Sequence, residues 1–166
     1  MPHTPVSKAS TPLPSHTSSH LPPALIQAYR QAWYAVWLPG HDAQPLQPGA
    51  SCRLQVDVVQ PQLVQAMGRL HARHACLITA CNPWGLLLPC TENAARMQAL
   101  RTALHTAGWS CSPALGRDPQ GQWPGEDSLL VWHMNRHQAR SWGLQWEQNA
   151  VLVMGDDGAP QLECLR

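Results

Sequence analysis

The chain has 166 residues, only 13% of them charged, and a formal net charge of +1. That length is ample for one domain with a real hydrophobic core. A charge balance this near neutral, with no run of Lys or Arg, excludes recruitment of nucleic acid or an anionic membrane by a global field, and no stretch reaches the roughly 18 consecutive apolar residues of a membrane-spanning helix.

Residues 1–20 are Pro, Ser, Thr and His with almost nothing to bury, which predicts a disordered tail before a single domain over 21–166. Pro22-Pro23 opens the folded part, followed by a short helix from Ala24 to about Gln31. A strand over 33–38 is stopped by Pro39-Gly40, a Pro/Gly-rich loop fills 39–50, and a weaker strand covers 52–58. A helix over 62–71 carries Leu63, Met67 and Leu70 on one stripe. The continuous apolar run 75–81 reads as a central strand covered on both faces.

The best helix spans 91–107. Thr91 is positioned to cap it, Gly108 to end it, and Met97, Leu100, Leu104 and Ala107 form its stripe. Strands follow at 109–115 and 128–134. Asn135 is positioned to cap a helix ending at Trp142-Gly143. Two strands, 150–154 and 161–165, flank the turn signal Gly155-Asp156-Asp157-Gly158. This alternation predicts an α/β or α+β domain, with helices packed on a mixed sheet and a C-terminal β-hairpin.

Six cysteines tempt a disulfide reading, but four sit in apolar, strand-like runs. The N-terminal stretch also lacks the apolar core of a secretory signal. The expectation is therefore a cytoplasmic protein with free, reduced thiols. The histidines at 71, 74, 133 and 137 offer metal-like spacing, but His133 lies in a strand run and His137 in the next helix, Cys76 and Cys81 point to opposite faces of an extended strand, and no CxxC pair exists, so no metal is assigned. No Gly-rich phosphate loop follows any strand, and no cofactor can be named.

Three polar clusters stand out where greasy segments meet turns. In the first, Asn82 leaves a strand beside Trp84, while Asn93 and Arg96 continue the apolar stripe of the following helix and should face the protein. Glu92 stands i, i+4 before Arg96, the favourable order for an ion pair. With the helix N-terminus, these residues form a candidate anion or carboxamide site. The structural alternative is a clamp in which Asn93 satisfies the 82–89 loop and Arg96 pairs with Glu92.

The second cluster is a long turn holding Arg117, Asp118, Trp123 and Glu126, in which Arg117 and Glu126 are placed to pair; it is either a pocket wall or a surface hairpin. The third is Gln148-Asn149 at the start of a buried strand, where two adjacent amides either face a pocket or cap a turn.

The succession ITACNPWG, TENAARMQAL, GRDPQGQWPGEDSLLVW and EQNAVLV resembles the bacterial family known as domain of unknown function 3293 over roughly residues 24–155. The family pattern falls on Thr79, Ala80, Asn82 and Pro83; on Glu92, Asn93 and Arg96; on Gly116, Asp118 and Pro119 with Trp123 and Glu126; and on Gln148, Asn149 and Ala150. Arg96 stands one residue closer to Asn93 than that pattern. The resemblance implies a small stand-alone bacterial cytosolic protein and brings no activity with it.

The leading expectation is a small-molecule site, anionic or nucleotide-like in its ligand, built from the three clusters. The alternatives are a hydrolase or transferase using Glu92 or Glu126 as base with Arg96 and Arg117 on an anionic group, and a protein-interaction module whose clusters only brace loops. A cleft joining the clusters separates the first two from the third.

Overall fold

Strand β3 (Ala75–Ile78) is buried along its whole length, because its apolar run has a neighbouring strand on each side and helices on each face. Around it the chain builds α1 (Pro23–Gln31), β1 (Trp33–Trp37), β2 (Ser51–Gln55), α2 (Pro61–Arg69), α3 (Cys90–Thr106), β4 (Cys111–Arg117), β5 (Glu126–Trp132), α4 (Arg136–Gln145), β6 (Ala150–Met154) and β7 (Gln161–Cys164). This computed structural model describes residues 20–39, 51–121 and 123–166. The tail expected over 1–20, except for His20, and the 40–50 part of the expected loop lie outside the described residues. No helix among the described residues is long and apolar enough to cross a membrane.

The seven strands form one sheet in the order β2-β1-β4-β5-β3-β6-β7, and β6 and β7 make the expected C-terminal hairpin. Where the alternation of helices and strands suggested a mixed sheet, every ladder is antiparallel. The fold is therefore α+β. The reason lies in the connections: β3 lies between β5 and β6, and each of those neighbours runs against it, since α3 and β4 cross the sheet and return the chain to the end where β3 stops, and α4 later carries it from the end of β5 back to that same edge.

Period-2 alternation sorts the side chains onto two faces. One face holds Val36, Leu54, Leu77, Leu130, Trp132 and Leu152, packed against Leu63, Ala66 and Met67 of α2. The other holds Cys76, Ile78, Val131 and Val153 under Met97, Leu100 and Leu104 of α3. Those three α3 side chains are at most 2% exposed, and burying each stabilises the fold by roughly 1.5–3 kcal/mol.

Helix α3 starts at Cys90, behind Pro89, without a side-chain cap, so Thr91 does not cap it; Gly108, at φ +82°, does end it. Asn135 caps α4 through a capping box with Gln138, as its position suggested. Helix α4 runs past Gly143, however. Gly143 is buried inside the helix, where an added Cβ would lie 2.4 Å from Leu165 and 2.9 Å from Val151. The left-handed residue that ends this segment is Glu147, at φ +59°.

Candidate functional site

Antiparallel pairing determines which strand ends meet. The C-terminal ends of β3 and β4 and the N-terminal ends of β1, β5 and β6 share one edge of the sheet. The segments 79–85, 116–118, 123–126 and 148–150 therefore surround one cavity of about 290 Å³. Its floor is the sheet face of Tyr34, Leu77, Thr79, Gly116, Glu126 and Ser128. Its roof is α1, through Leu25, Ala28 and Tyr29. Helix α1 contributes no buried residue to the core. It spans the cavity rather than sealing onto the sheet.

Glu126 reaches the floor because it shares the alternation phase of Ser128, Leu130 and Trp132: three of these face the core, and the first ends in a carboxyl. The Asn82 Nδ2 group donates to Glu126 Oε1 at 2.5 Å. Burial pushes the Glu126 carboxyl above its ordinary value, and the Asn82 hydrogen bond opposes that rise. The expected Arg117–Glu126 pair does not form. Gly116 is the residue opposite Glu126 in the ladder, so Arg117 falls one residue out of phase. Its guanidinium sits 5.9 Å from the Trp33 ring centroid, on which Arg53 also lies. Gly116 matters in its own right: a Cβ there would come within 3.2 Å of the Tyr34 ring, so glycine leaves the floor open between Tyr34 and Glu126.

Asn82 is held rather than free to rotate. It adopts a left-handed conformation, φ +49°, which Asn tolerates better than most residues. Its backbone N–H donates to Asn93 Oδ1 at 2.9 Å, while its Oδ1 accepts from Leu88 N–H and Asn93 Nδ2, both at 2.9 Å. Asn93 also donates to the Leu88 carbonyl at 3.2 Å. Two asparagines thus interlock across the 82–89 turn and leave the Asn82 Nδ2 aimed at Glu126.

Arg96 does not pair with Glu92. Its Nε donates to the Ala80 carbonyl at 2.7 Å, and its Nη2 donates to the Trp146 carbonyl at 3.2 Å and to Glu147 Oε2 at 3.1 Å. Glu92 is exposed in the first turn of α3. The i, i+4 geometry is outcompeted because Arg96 lies beside two backbone carbonyls and the Glu147 carboxylate. Gln148 braces the same junction, donating to the carbonyls of Cys81 and Trp146, each at 3.1 Å. Trp84 adds a main-chain hydrogen bond to the Glu147 carbonyl at 2.6 Å.

The sequence-predicted residues therefore divide. Asn82, Trp84, Arg117, Asp118, Trp123, Glu126, Gln148 and Asn149 line the cavity. Asn93 and Arg96 stand behind it and shape its wall, and Glu92 takes no part. Trp84 and Trp123 are 37% and 45% exposed and mark the rim, with the Arg166 guanidinium over the Trp84 ring at 4.7 Å. Asp118 organises its own turn by accepting from the Gln120 N–H at 3.0 Å. Asn149 is buried, and its Nδ2 approaches the Tyr29 hydroxyl at 3.5 Å.

The sequence does not single out Tyr29, Tyr34 or Ser128, and Thr79 enters only through the family pattern. For Thr79 and Ser128 a signal existed: each is a polar residue in phase with the core face of its strand. For the tyrosines there was none, because nothing local says that α1 crosses this face. Burial raises both phenols.

Residues 78–151 match the family model described as Protein of unknown function (DUF3293). Over that stretch the chain is similar to that family. The matched stretch runs from the end of β3 to the start of β6 and so contains the floor carboxylate, the asparagine clamp and both rim tryptophans, but not α1. No curated protein and no solved structure matches the chain.

Proposed function

We propose that this protein binds a small organic molecule in the cavity beneath α1. The observation that supports this most is the Glu126 carboxyl, held by the uncharged amide of Asn82 on the floor of a cavity roofed by Leu25, Ala28 and Tyr29. Groups placed this way are used for recognition: they fix orientation inside a mostly apolar space. At about 290 Å³ the space suits a ligand at the small end of the range for such sites, roughly 300–1,000 Å³. The anionic preference expected from Arg96 and the start of α3 loses its support, because both stand outside the cavity lining.

A fragment screen by ligand-observed NMR tests the reading. Ala28→Trp, on the cavity side of α1, fills the space without altering the sheet. Fragments that bind the wild type and compete with one another should be lost in Ala28→Trp. Hits retained in that variant place binding elsewhere and overturn the proposal.

Burial of Glu126 favours one second reading, general acid–base catalysis on the bound molecule. In that case Glu126→Gln retains fragment binding while turnover of any substrate found disappears. Glu92 drops out as a base because it is exposed and off the cavity.

A further inference from the structure

The partly buried carboxylates of this protein differ in one respect. Glu147 pairs with Arg96, and Glu163 is bridged by Arg136 and Arg140. Glu126 has no cationic partner in any ion pair among the described residues, and its hydrogen bond comes from a neutral amide. The charged residues in the cavity lining are Glu126, Asp118 and Arg117, and the guanidinium of the last lies against Trp33. The interior is therefore short of positive charge and of N–H donors directed at Glu126. Leaving a carboxylate in that state is unfavourable, and a ligand that supplies the missing donors would relieve it.

The walls narrow the shape. Tyr29, Tyr34, Trp84 and Trp123 bring aromatic rings to the lining, and Gly85 and Gly116 withhold side chains from it. A Cβ on Gly85 would lie 3.2 Å from Asn149 Nδ2, and one on Gly116 would press on Tyr34. Flat walls without intervening side chains suit a planar group, and aromatic faces attract cations or the N–H edges of rings.

We infer that the cavity selects planar ligands that present two N–H groups on one edge to Glu126, the pattern of an amidinium or of a guanine-type ring edge. Carboxylates and phosphates are excluded by the same carboxyl. This rests on the binding reading above and specifies its ligand class.

Benzamidine is the probe, with isosteric benzamide and benzoate as controls, each titrated into ¹⁵N-labelled full-length protein while the indole N–H signals of Trp84 and Trp123 are followed. Benzamidine should shift those signals and bind at least about tenfold tighter than either control, a difference of about 1.4 kcal/mol. Glu126→Gln should remove that preference. Ala28→Trp, which leaves the Asn82–Glu126 pair untouched, should remove benzamidine binding and serves if Glu126→Gln does not fold. Equal or tighter binding of benzoate or benzamide at the same signals overturns the ligand class and leaves the pocket standing. Benzamidine binding that survives either variant overturns it too. Silence from all three compounds overturns the ligand class, and the pocket then stands or falls on the fragment screen.

Discussion

Asn82 carries more of the site than any other single residue, through its backbone and its side chain together. Asn82→Ala puts an alanine in left-handed backbone, leaves Leu88 N–H and Glu126 without their partner and removes one of the two acceptors of Asn93 Nδ2. Strained backbone costs about 1 kcal/mol and unsatisfied buried groups about 1–3 kcal/mol, so a loss of about 3 kcal/mol is expected in chemical denaturation. Asn82→Gly relieves the backbone and should lose about 1 kcal/mol less; equal losses would show that the left-handed conformation contributes nothing.

Glu126 gives a second test, in pH. Its folded pKa is raised by burial, so the folded state holds the proton more tightly than the unfolded chain. Its favourable contribution is present below the ordinary carboxylate range and is lost as pH rises through the folded value. Glu126→Gln should match the wild type in melting temperature near pH ~4 and exceed it near pH ~7. A variant less stable at the higher pH would mean that the carboxylate is stabilised by a partner.

At the scale of elements, two junctions hold the wall of the cavity in place. Arg96 links the end of β3 to the turn between α4 and β6 through the Ala80 and Trp146 carbonyls. Arg96→Ala should cost about 2–3 kcal/mol, the range for charged hydrogen bonds to buried acceptors. Glu147 is 46% exposed in its side chain and regains water, so removing it as well should restore little. Recovery in the Arg96/Glu147 double variant would assign the energy to the ion pair instead. Gly143 is the other junction. Alanine is the better helix former by about 1 kcal/mol, yet Gly143→Ala drives a methyl into Leu165 and Val151. A net loss of about 1–3 kcal/mol is expected from overpacking, measured as a shift in denaturation midpoint. Stabilisation would mean that β7 gives way freely at its end.

For the molecule as a whole, the sheet separates two cores, and the cysteines report on both. All six are free; Cys52, Cys76 and Cys81 are buried and Cys90 is exposed at the start of α3. Burial pushes the Cys52 and Cys111 thiols up to about 11 and raises Cys76 further. In native protein near pH ~7 a thiol reagent should modify Cys90 first, because reactivity follows thiolate fraction and access. Cys52, Cys76 and Cys81 should react only at the rate of global unfolding, and denaturant should release six reactive groups. Rapid native labelling at Cys76 would show that β3 opens locally, against its central place in the sheet.

Much of this protein is written locally. The order of helices and strands, the buried central strand, the capping box at Asn135, the glycine that ends α3 and the terminal hairpin all follow from periodicity and turn chemistry, which act over a few residues. The polar clusters were legible for the same reason, since Asn, Glu or Gln at a strand end breaks an apolar pattern. What the sequence does not carry is direction. Whether β4 and β5 run with or against β3 decides which strand ends meet, and that depends on pairing across the chain. Only the antiparallel sheet brings Glu126 to Asn82, turns Arg117 out of phase with Glu126, gives Arg96 to two distant carbonyls in place of Glu92, and lays α1 over the floor. A one-residue change of phase sends a side chain to the other face, so local pattern proposes the residues of a site and long-range register selects among them.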